Sequence, residues 1–128
     1  MINIDLMAEK VLDQSGFGGW IAVVLGSGQA GFAEGLANQK IVPFEDIPDY
    51  PRTTVKGHSG ELVAGSMDGV EVLAAKGRFH YYEGYSFDEI TIPIRLFSKL
   101  GIDHLIITNS SGSMRKNCPP GTLIAITG

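Results

Sequence analysis

The feature that most constrains the fold is a continuous apolar run, Trp20–Leu25, that leads directly into a glycine-rich segment, Gly26–Gly31. An unbroken run of this length with β-branched residues is typical of a strand covered on both faces. Glycines placed directly after such a strand predict a tight turn that approaches another group closely. Strands covered on both faces belong to sheets flanked by helices, so this segment indicates an α/β fold.

The segments on either side of this strand predict one clear helix and little regular structure after it. Apolar residues from Ile4 to Leu12 fall at helical spacing, so an opening helix is expected there. A short helix is expected around Phe32–Asn38, although Gly35 weakens it. Three prolines make the stretch from Pro43 to Arg52 mostly loop and extended chain.

The middle of the chain carries a hairpin followed by a helix. Glu61–Met67 and Val70–Lys76 predict two strands joined at Asp68-Gly69, which is a strong hairpin signal. Ser86–Glu89 fits a capping box and predicts a helix that ends at Gly101. Pro93 lies inside this helix, so it either kinks the helix or marks a later start.

The last part of the chain predicts two more strands. His104–Thr108 is expected to be a second buried strand, and Leu123–Thr127 is expected to be the last strand. The whole order of elements predicts an α/β fold with a mixed twisted β-sheet flanked by helices. We expect residues 1–128 to form a single domain, because this length supports one core.

Composition and charge limit the kinds of partner. The hydrophobic fraction of 44% and the charged fraction of 19% are typical of a soluble globular protein. The net charge of −4 favours neither nucleic acid nor an anionic membrane as a partner. Cys118 is the single cysteine, and the N-terminus is unlike a signal peptide, so a cytoplasmic protein is expected.

The glycine segment after the first strand has three possible interpretations. Gly26, Gly28 and Gly31 match the spacing of a dinucleotide fingerprint, but that fingerprint needs a full helix afterwards, which Gly35 interrupts. A second interpretation is an oxyanion site, in which backbone N–H groups and the Ser27 hydroxyl face an anion. A tight turn without any ligand is the third possibility.

A second candidate segment follows the hairpin. Arg78 and His80 alternate along it and are expected to face the same way, offering a guanidinium and an imidazole to one ligand. Tyr82 continues that face, and Glu83 can accept hydrogen bonds from sugar hydroxyls or from a protonated phosphate. The alternative is an aromatic core cluster with an Arg–Glu pair on the surface.

Hydroxyl groups cluster at the end of the strand His104–Thr108, in Asn109–Ser113. Ligands of α/β sheets bind where strands end, so anion contacts are expected there. A serine nucleophile is the rival interpretation, but no Gly-x-Ser-x-Gly elbow accompanies it. His58 either joins a site or caps a turn. No metal site is predicted, because no set of His, Cys and carboxylate residues has ligand spacing.

Taken together, these segments resemble the purine nucleoside phosphorylases of the trimeric class. The resemblance is carried, in chain order, by residues Val24–Gly28, Ile47–Val55, Gly57–Val63, Gly77–Tyr85 and Thr108–Ser113. The block Gly77–Tyr85 is the most specific of them. Methylthioadenosine phosphorylases share the fold but differ around His58 and Arg78, and therefore rank second.

The resemblance implies a role for each candidate residue. Phosphate would be bound by Ser27, Arg78, His80 and, through its backbone at least, Ser110. Tyr82 would contact the ribose. The catalytic residues would be His80, Glu83 and His58, the last two interacting beside the phosphate. The partners would be a purine nucleoside and inorganic phosphate as co-substrate, with no cofactor, no metal and a homotrimeric assembly.

Two departures from the family pattern affect these expectations. Ser110 and Ser111 stand where the family usually has alanines, and they add hydroxyls at the phosphate site. The family also continues for about as many residues again, with the groups that read the purine. We therefore expect a truncated phosphorylase-like fold with weak or no activity by itself. A non-catalytic module that binds phosphate or docks onto other subunits is the alternative.

Overall fold

The computed structural model describes residues 1–54 and 60–127, which contain a five-stranded sheet and three α-helices. The strands are β1 (Ile21–Leu25), β2 (Ala37–Pro43), β3 (Glu61–Met67), β4 (Val70–Lys76) and β5 (His104–Ile107). The helices are α1 (Ile4–Ser15), α2 (Gly31–Glu34) and α3 (Phe87–Lys99), with 3-10 turns at Phe44–Asp46 and Tyr81–Glu83. None of the helices in the described ranges is long and apolar enough to cross a membrane.

The sheet has the strand order β2-β3-β4-β1-β5 and is mixed, as the sequence predicts. β4, β1 and β5 are parallel, whereas β2, β3 and β4 are antiparallel. The carboxyl ends of the three parallel strands therefore lie at one edge of the sheet. The segments that follow them meet at that edge, which is where α/β proteins bind ligands.

The β3–β4 hairpin forms with the predicted bounds. Asp68 and Gly69 have φ angles of 50° and 81°, the positive values that a type I′ turn requires at both central positions. This turn fixes the register, in which Met67 pairs with Val70 and Glu61 pairs with Lys76.

Apolar residues on the two faces of the sheet pack into two separate core clusters. On one face, α1 and α3 cover the sheet through Met7, Val11 and Leu96, against strand residues such as Leu73. On the other face, Ala33 in α2 belongs to a smaller cluster with strand residues such as Val23, Leu25 and Ala74. The helices therefore flank the sheet on both faces, as expected from the covered strand β1.

The helix α3 begins at Phe87, directly after the predicted capping residue Ser86, and not at Pro93. Its capping box is present, because the Ser86 hydroxyl accepts from the Glu89 N–H and the Glu89 carboxylate accepts from the Ser86 N–H. These bonds satisfy the first turn, and the helix runs through Pro93 to Lys99. A late start at Pro93 is therefore wrong, and a kink at that residue stays a prediction.

Three other elements differ from the sequence predictions. The helix expected over Phe32–Asn38 ends at Glu34, and a strand missed by the sequence reasoning, β2, occupies Ala37–Pro43. β2 is an edge strand whose polar residues show no alternation, so its sequence carries no strand signal. Leu123–Thr127, expected to be a strand, pairs with no strand in the described ranges.

β5 is a strand, as predicted, but it is not buried. Leu105, Ile106 and Ile107 are 38%, 53% and 61% exposed. The physical reason is that these side chains belong to neither core cluster of the described residues, and β5 has β1 as its one neighbour among the described strands. An apolar run alone does not distinguish a covered strand from an edge strand.

Candidate functional site

A cavity of about 740 Å³ opens at the edge where the parallel strands end. Its lining contains most of the residues that the sequence predicts for a site, namely Ser27, Arg78, His80, Tyr82 and Glu83. Ser110 lies next to them, because its hydroxyl donates to the carbonyl oxygen of Ser27 at 2.6 Å. His58 lies outside the described residues. The sheet therefore brings together the ends of β1, β4 and β5 as expected.

The glycine turn after β1 is held close to the end of β5. A Cβ atom at Gly26 would lie 2.7 Å from the Thr108 carbonyl oxygen and 2.8 Å from the Asn109 Cα atom. The Gly26 N–H donates to the Thr108 hydroxyl at 2.9 Å, and that hydroxyl donates to the Val24 carbonyl oxygen. Glycine is thus required at this position by packing against backbone, and its N–H is not free for an anion.

Arg78 spans the end of β1 and reaches both neighbouring segments. Its Nη1 donates to the Thr108 carbonyl oxygen at 2.9 Å, and its Nε donates to His80 Nε2 at 3.1 Å. A guanidinium has five N–H donors, so these two bonds leave three available for an oxyanion. The Thr108 bond fixes the position of the guanidinium at the mouth of the glycine turn.

His80 has both ring nitrogens engaged. Its Nδ1 lies 2.7 Å from the Glu83 Oε2 atom, and that oxygen also accepts from the His80 backbone N–H at 2.9 Å. Because Arg78 Nε can only donate, His80 Nε2 must accept, and the ring proton is assigned by this network to Nδ1. The hydrogen bond from His80 is the main reason that the pKa of Glu83 lies below its usual value. Glu83 is therefore a carboxylate that orients the imidazole.

Tyr82 is the exposed aromatic surface of the site. Its ring stacks on the His80 ring with a centroid distance of 4.7 Å and an interplanar angle of 19°. The side chain is 82% exposed. Residues Tyr81–Glu83 form a 3-10 turn instead of the alternating extended segment that the sequence analysis assumes, but the stacking still places the His80 and Tyr82 rings together.

The alternative interpretation of the segment Gly77–Tyr85 is an aromatic core with a surface Arg–Glu pair. The aromatic core is present in this segment, but the Arg–Glu pair is not. Phe79 is buried and lies against Phe44, Tyr50 and Tyr85 with ring-centroid distances of 5.1–5.7 Å. The carboxylate of Glu83, however, pairs with His80 instead of an arginine. The buried Phe79 anchors the segment while its neighbours on either side face the cavity.

Rival chemistries find little support in this geometry. The helix α2 after the glycine turn has only four residues, whereas a dinucleotide fingerprint needs a full helix. A serine nucleophile would donate its hydroxyl hydrogen to a histidine base. The Ser110 hydroxyl instead donates to the backbone carbonyl of Ser27. Within residues 1–54 and 60–127, no three His, Cys, Asp or Glu side chains are grouped to hold a metal ion.

The comparison with known proteins agrees with this arrangement. A sequence model of the phosphorylase superfamily matches residues 21–128. The chain belongs to the phosphorylase superfamily. The resemblance noted in the sequence is therefore confirmed at the level of the superfamily.

Relatives of this phosphorylase-superfamily chain are purine nucleoside phosphorylases. Purine nucleoside phosphorylase 1 of Geobacillus stearothermophilus is 44% identical over 107 residues, which cover 84% of this chain and 39% of the relative. The purine nucleoside phosphorylase of Mus musculus is 37% identical over 124 residues, covering 97% and 43% of the two chains. The chain thus spans about two fifths of the length of these relatives.

Solved structures agree with the fold. A purine nucleoside phosphorylase in complex with ribose-1-phosphate superposes with a TM-score of 0.85 and 34% identity, covering 93% of this chain and 44% of the other. The Schistosoma mansoni enzyme in complex with inosine gives a TM-score of 0.83 at 34% identity, covering 92% and 41%. The predicted α/β fold with a mixed sheet is therefore confirmed.

The sequence reasoning missed two features of this phosphorylase-superfamily site. Thr108 carries the hydrogen bonds that hold the glycine turn and Arg78, although it precedes the predicted block of hydroxyls. Lys76 and Glu61 form an ion pair of 2.7 Å on the cavity wall. The predicted hairpin already pairs these two residues across the strands, so register was the available signal.

Proposed function

We propose that this protein acts as a purine nucleoside phosphorylase. A phosphate oxygen attacks C1′ of the nucleoside ribose while the bond from C1′ to the purine nitrogen breaks. The purine takes a proton and leaves, and the sugar leaves as ribose 1-phosphate. The observation that carries the proposal is the convergence of Ser27, Arg78 and His80 on one cavity at the carboxyl edge of the sheet. The purine nucleoside phosphorylases among its relatives support it.

Arg78 is the principal phosphate ligand in this proposal. Its guanidinium is held by the Thr108 carbonyl oxygen and keeps three donors for the phosphate oxygens. Ser27 adds a hydroxyl, and the backbone at Ser110 adds a further contact to the same anion. A fixed cation with directed donors holds the phosphate in line for attack and offsets part of its charge.

His80 joins the phosphate site through a change of its hydrogen bonds. Its Nε2 accepts from Arg78, so this nitrogen has no proton to give to a phosphate oxygen. When Arg78 turns its Nε donor to phosphate, Nε2 of His80 is released to accept a hydrogen bond from a protonated phosphate oxygen, and the Glu83 carboxylate at Nδ1 keeps the ring oriented. In this proposal Glu83 acts by positioning His80. That Glu83 and His58 interact beside the phosphate also remains part of the proposal.

Tyr82 contacts the ribose in this proposal. Its ring lies on the imidazole of His80 with most of its surface open, so a sugar beside the bound phosphate meets an aromatic face and a hydroxyl. As the ribose gains oxocarbenium character in the transition state, the adjacent phosphate dianion stabilises its positive charge.

Further parts of the proposal concern partners and location. Inorganic phosphate is a co-substrate, and no cofactor or metal is required. We propose a homotrimer located in the cytoplasm. Light scattering of the purified protein tests the assembly, and phosphate binding after treatment with a chelator tests the metal-free chemistry; a monomer or a loss of binding would contradict these parts.

The proposal predicts slow turnover for the 128-residue chain by itself. The purine needs hydrogen-bond donors as negative charge develops on it, and the relatives are more than twice as long as the matched chain. Removal of one such donor costs about 3–4 kcal/mol, which is a factor of roughly 10²–10³ in rate. Incubation with inosine and phosphate, followed by measurement of free base, checks this; brisk turnover would contradict it.

Calorimetry with inorganic phosphate tests the site directly. We expect the 128-residue chain to bind phosphate, and Arg78→Ala to weaken binding at least about tenfold, since hydrogen bonds to charged groups contribute about 1.5–3 kcal/mol. Arg95→Ala is the matched control, because Arg95 is exposed on α3, outside the cavity lining. Equal affinities for the two variants would refute the role of Arg78. In a chain of full family length, Arg78→Ala should raise the phosphate KM.

A second candidate function is a non-catalytic module that binds phosphate or docks onto other subunits. The exposed apolar edge strand β5 favours it, since exposed edges of this kind promote association. A sizing column separates the two candidates when combined with the turnover assay. Phosphate binding and association without turnover in any assembled form would support the module.

A further inference from the structure

The proposed reaction gives no role to the ion pair between Lys76 and Glu61 on the cavity wall. Lys76 Nζ lies 2.7 Å from Glu61 Oε1, and both residues line the cavity with Arg78 and His80. Their side chains are 26% and 23% exposed, so the pair is neither a solvated surface pair nor a fully buried one. An ammonium group has three donors, and Glu61 accounts for only one of them in this pair.

The sheet directs both side chains toward the glycine turn. Lys76 is the last residue of β4 and lies opposite Glu61 in β3 and opposite Leu25 in β1. Residues alternate between the faces of a strand, so Lys76 shares its face with Ala74, which belongs to the α2 cluster together with Leu25. Ser27 follows Leu25 by two residues and lines the same cavity.

The charges of the cavity wall show why this pair matters for an anion. Among the described lining residues, the cations Lys76 and Arg78 are matched by the carboxylates Glu61 and Glu83. With the neutral His80 ring assigned above, the wall has no net positive charge, which is unfavourable for a phosphate dianion. Arg78 alone therefore compensates only one of the two charges of a phosphate dianion.

We propose that Lys76 is a second cationic ligand of the oxyanion, and that Glu61 is the counter-ion from which phosphate draws it. This inference rests on the proposed phosphate site. When phosphate enters, the ammonium group turns its remaining donors toward a phosphate oxygen and loosens its contact with Glu61. Glu61 thereby lowers the phosphate affinity, because it competes for the lysine and repels the incoming dianion.

Charge-neutralising variants separate this role from a structural one. We expect Lys76→Gln to weaken the binding of inorganic phosphate at least fivefold in calorimetry, and Glu61→Gln to tighten it at least twofold. The double variant removes both charges and leaves the net charge of the wall unchanged. If Lys76 contacts phosphate, the double variant still binds more weakly than the wild type, because the Lys76 donors are lost while only the repulsion by Glu61 is relieved. If the pair is only a cross-strand contact, the double variant binds like the wild type, and the inference is wrong.

Controls keep this result distinct from failure of the proposed function. Lys40→Gln removes an exposed lysine on β2 and should leave phosphate affinity unchanged. Loss of binding in Arg78→Ala with wild-type binding in the Lys76 variants overturns this inference alone. A wild-type chain that does not bind phosphate overturns both. Should Lys76→Gln fail to fold, Glu61→Gln carries the test, since unchanged or weaker binding there contradicts the inference.

Discussion

Replacing Gly26 by alanine should destabilise the fold and weaken the candidate site together. The new methyl group would lie 2.7 Å from the Thr108 carbonyl oxygen and 2.8 Å from the Asn109 Cα atom. Carbon atoms pack comfortably at about 3.5–4.0 Å, so the overlap with Asn109 is about 0.7 Å or more. Both opposing groups are backbone, and they can give way only if the end of β5 moves away from β1.

The expected cost follows from this geometry. Overpacking of this kind costs about 1–3 kcal/mol. With a slope near 1.5 kcal/mol/M for a small protein, the urea midpoint should fall by about 0.7–2 M. The same displacement withdraws the Thr108 carbonyl oxygen from Arg78, so phosphate binding should weaken as well. Urea denaturation and phosphate calorimetry on the same variant measure the two effects.

Gly31 provides a matched control within the same turn. A Cβ atom there meets nothing within 4 Å, and the residue begins α2. Alanine is favoured over glycine in a helix by up to about 1 kcal/mol, so Gly31→Ala should be neutral or slightly stabilising. If Gly26→Ala and Gly31→Ala unfold at the same urea concentration, the close approach of the turn to β5 is refuted.

Three further changes test other parts of the structure. Ser86→Ala removes the capping box of α3 and should lower the free energy of unfolding by about 1 kcal/mol, measured by urea denaturation; an unchanged midpoint would refute the cap. Glu83→Gln should cost stability at neutral pH but progressively less as the pH falls below about 4, since the lowered pKa of Glu83 stabilises the fold only while the carboxylate is ionised. A difference from wild type that stays constant with pH would contradict this. Leu73→Ala, at a fully buried position, should cost about 2–5 kcal/mol, whereas Leu12→Ala, 42% exposed, should cost far less; similar losses would show that the core is misplaced.

Local patterns were sufficient where neighbouring residues decide the conformation. The turn at Asp68-Gly69 determines the hairpin and its register. The capping box at Ser86 determines where α3 begins. In each case the signal and the structure lie within a few residues of each other, so no distant contact was needed.

Patterns failed where the result depends on what packs from elsewhere in the chain. β2 carries polar residues and forms a strand only because β3 offers it an edge to pair with. The strand at Leu105 was expected to be buried, but its apolar residues cannot reveal whether another element covers them. The exposure of a strand's side chains depends on which elements pack against the sheet, and that is decided only when the fold assembles.

In the candidate site, too, the sequence indicates some features and only the tertiary structure reveals others. The sequence by itself determined which side chains are available, because Ser27, Arg78, His80 and Tyr82 stand out from their local segments and match a family pattern. Tertiary structure alone decided how the segments meet: Thr108 holds Arg78 across the end of β1, and Lys76 faces the same cavity. Hydrogen bonds between the segments that follow β1, β4 and β5 join residues about 30 to 80 positions apart, and no local pattern records such pairings.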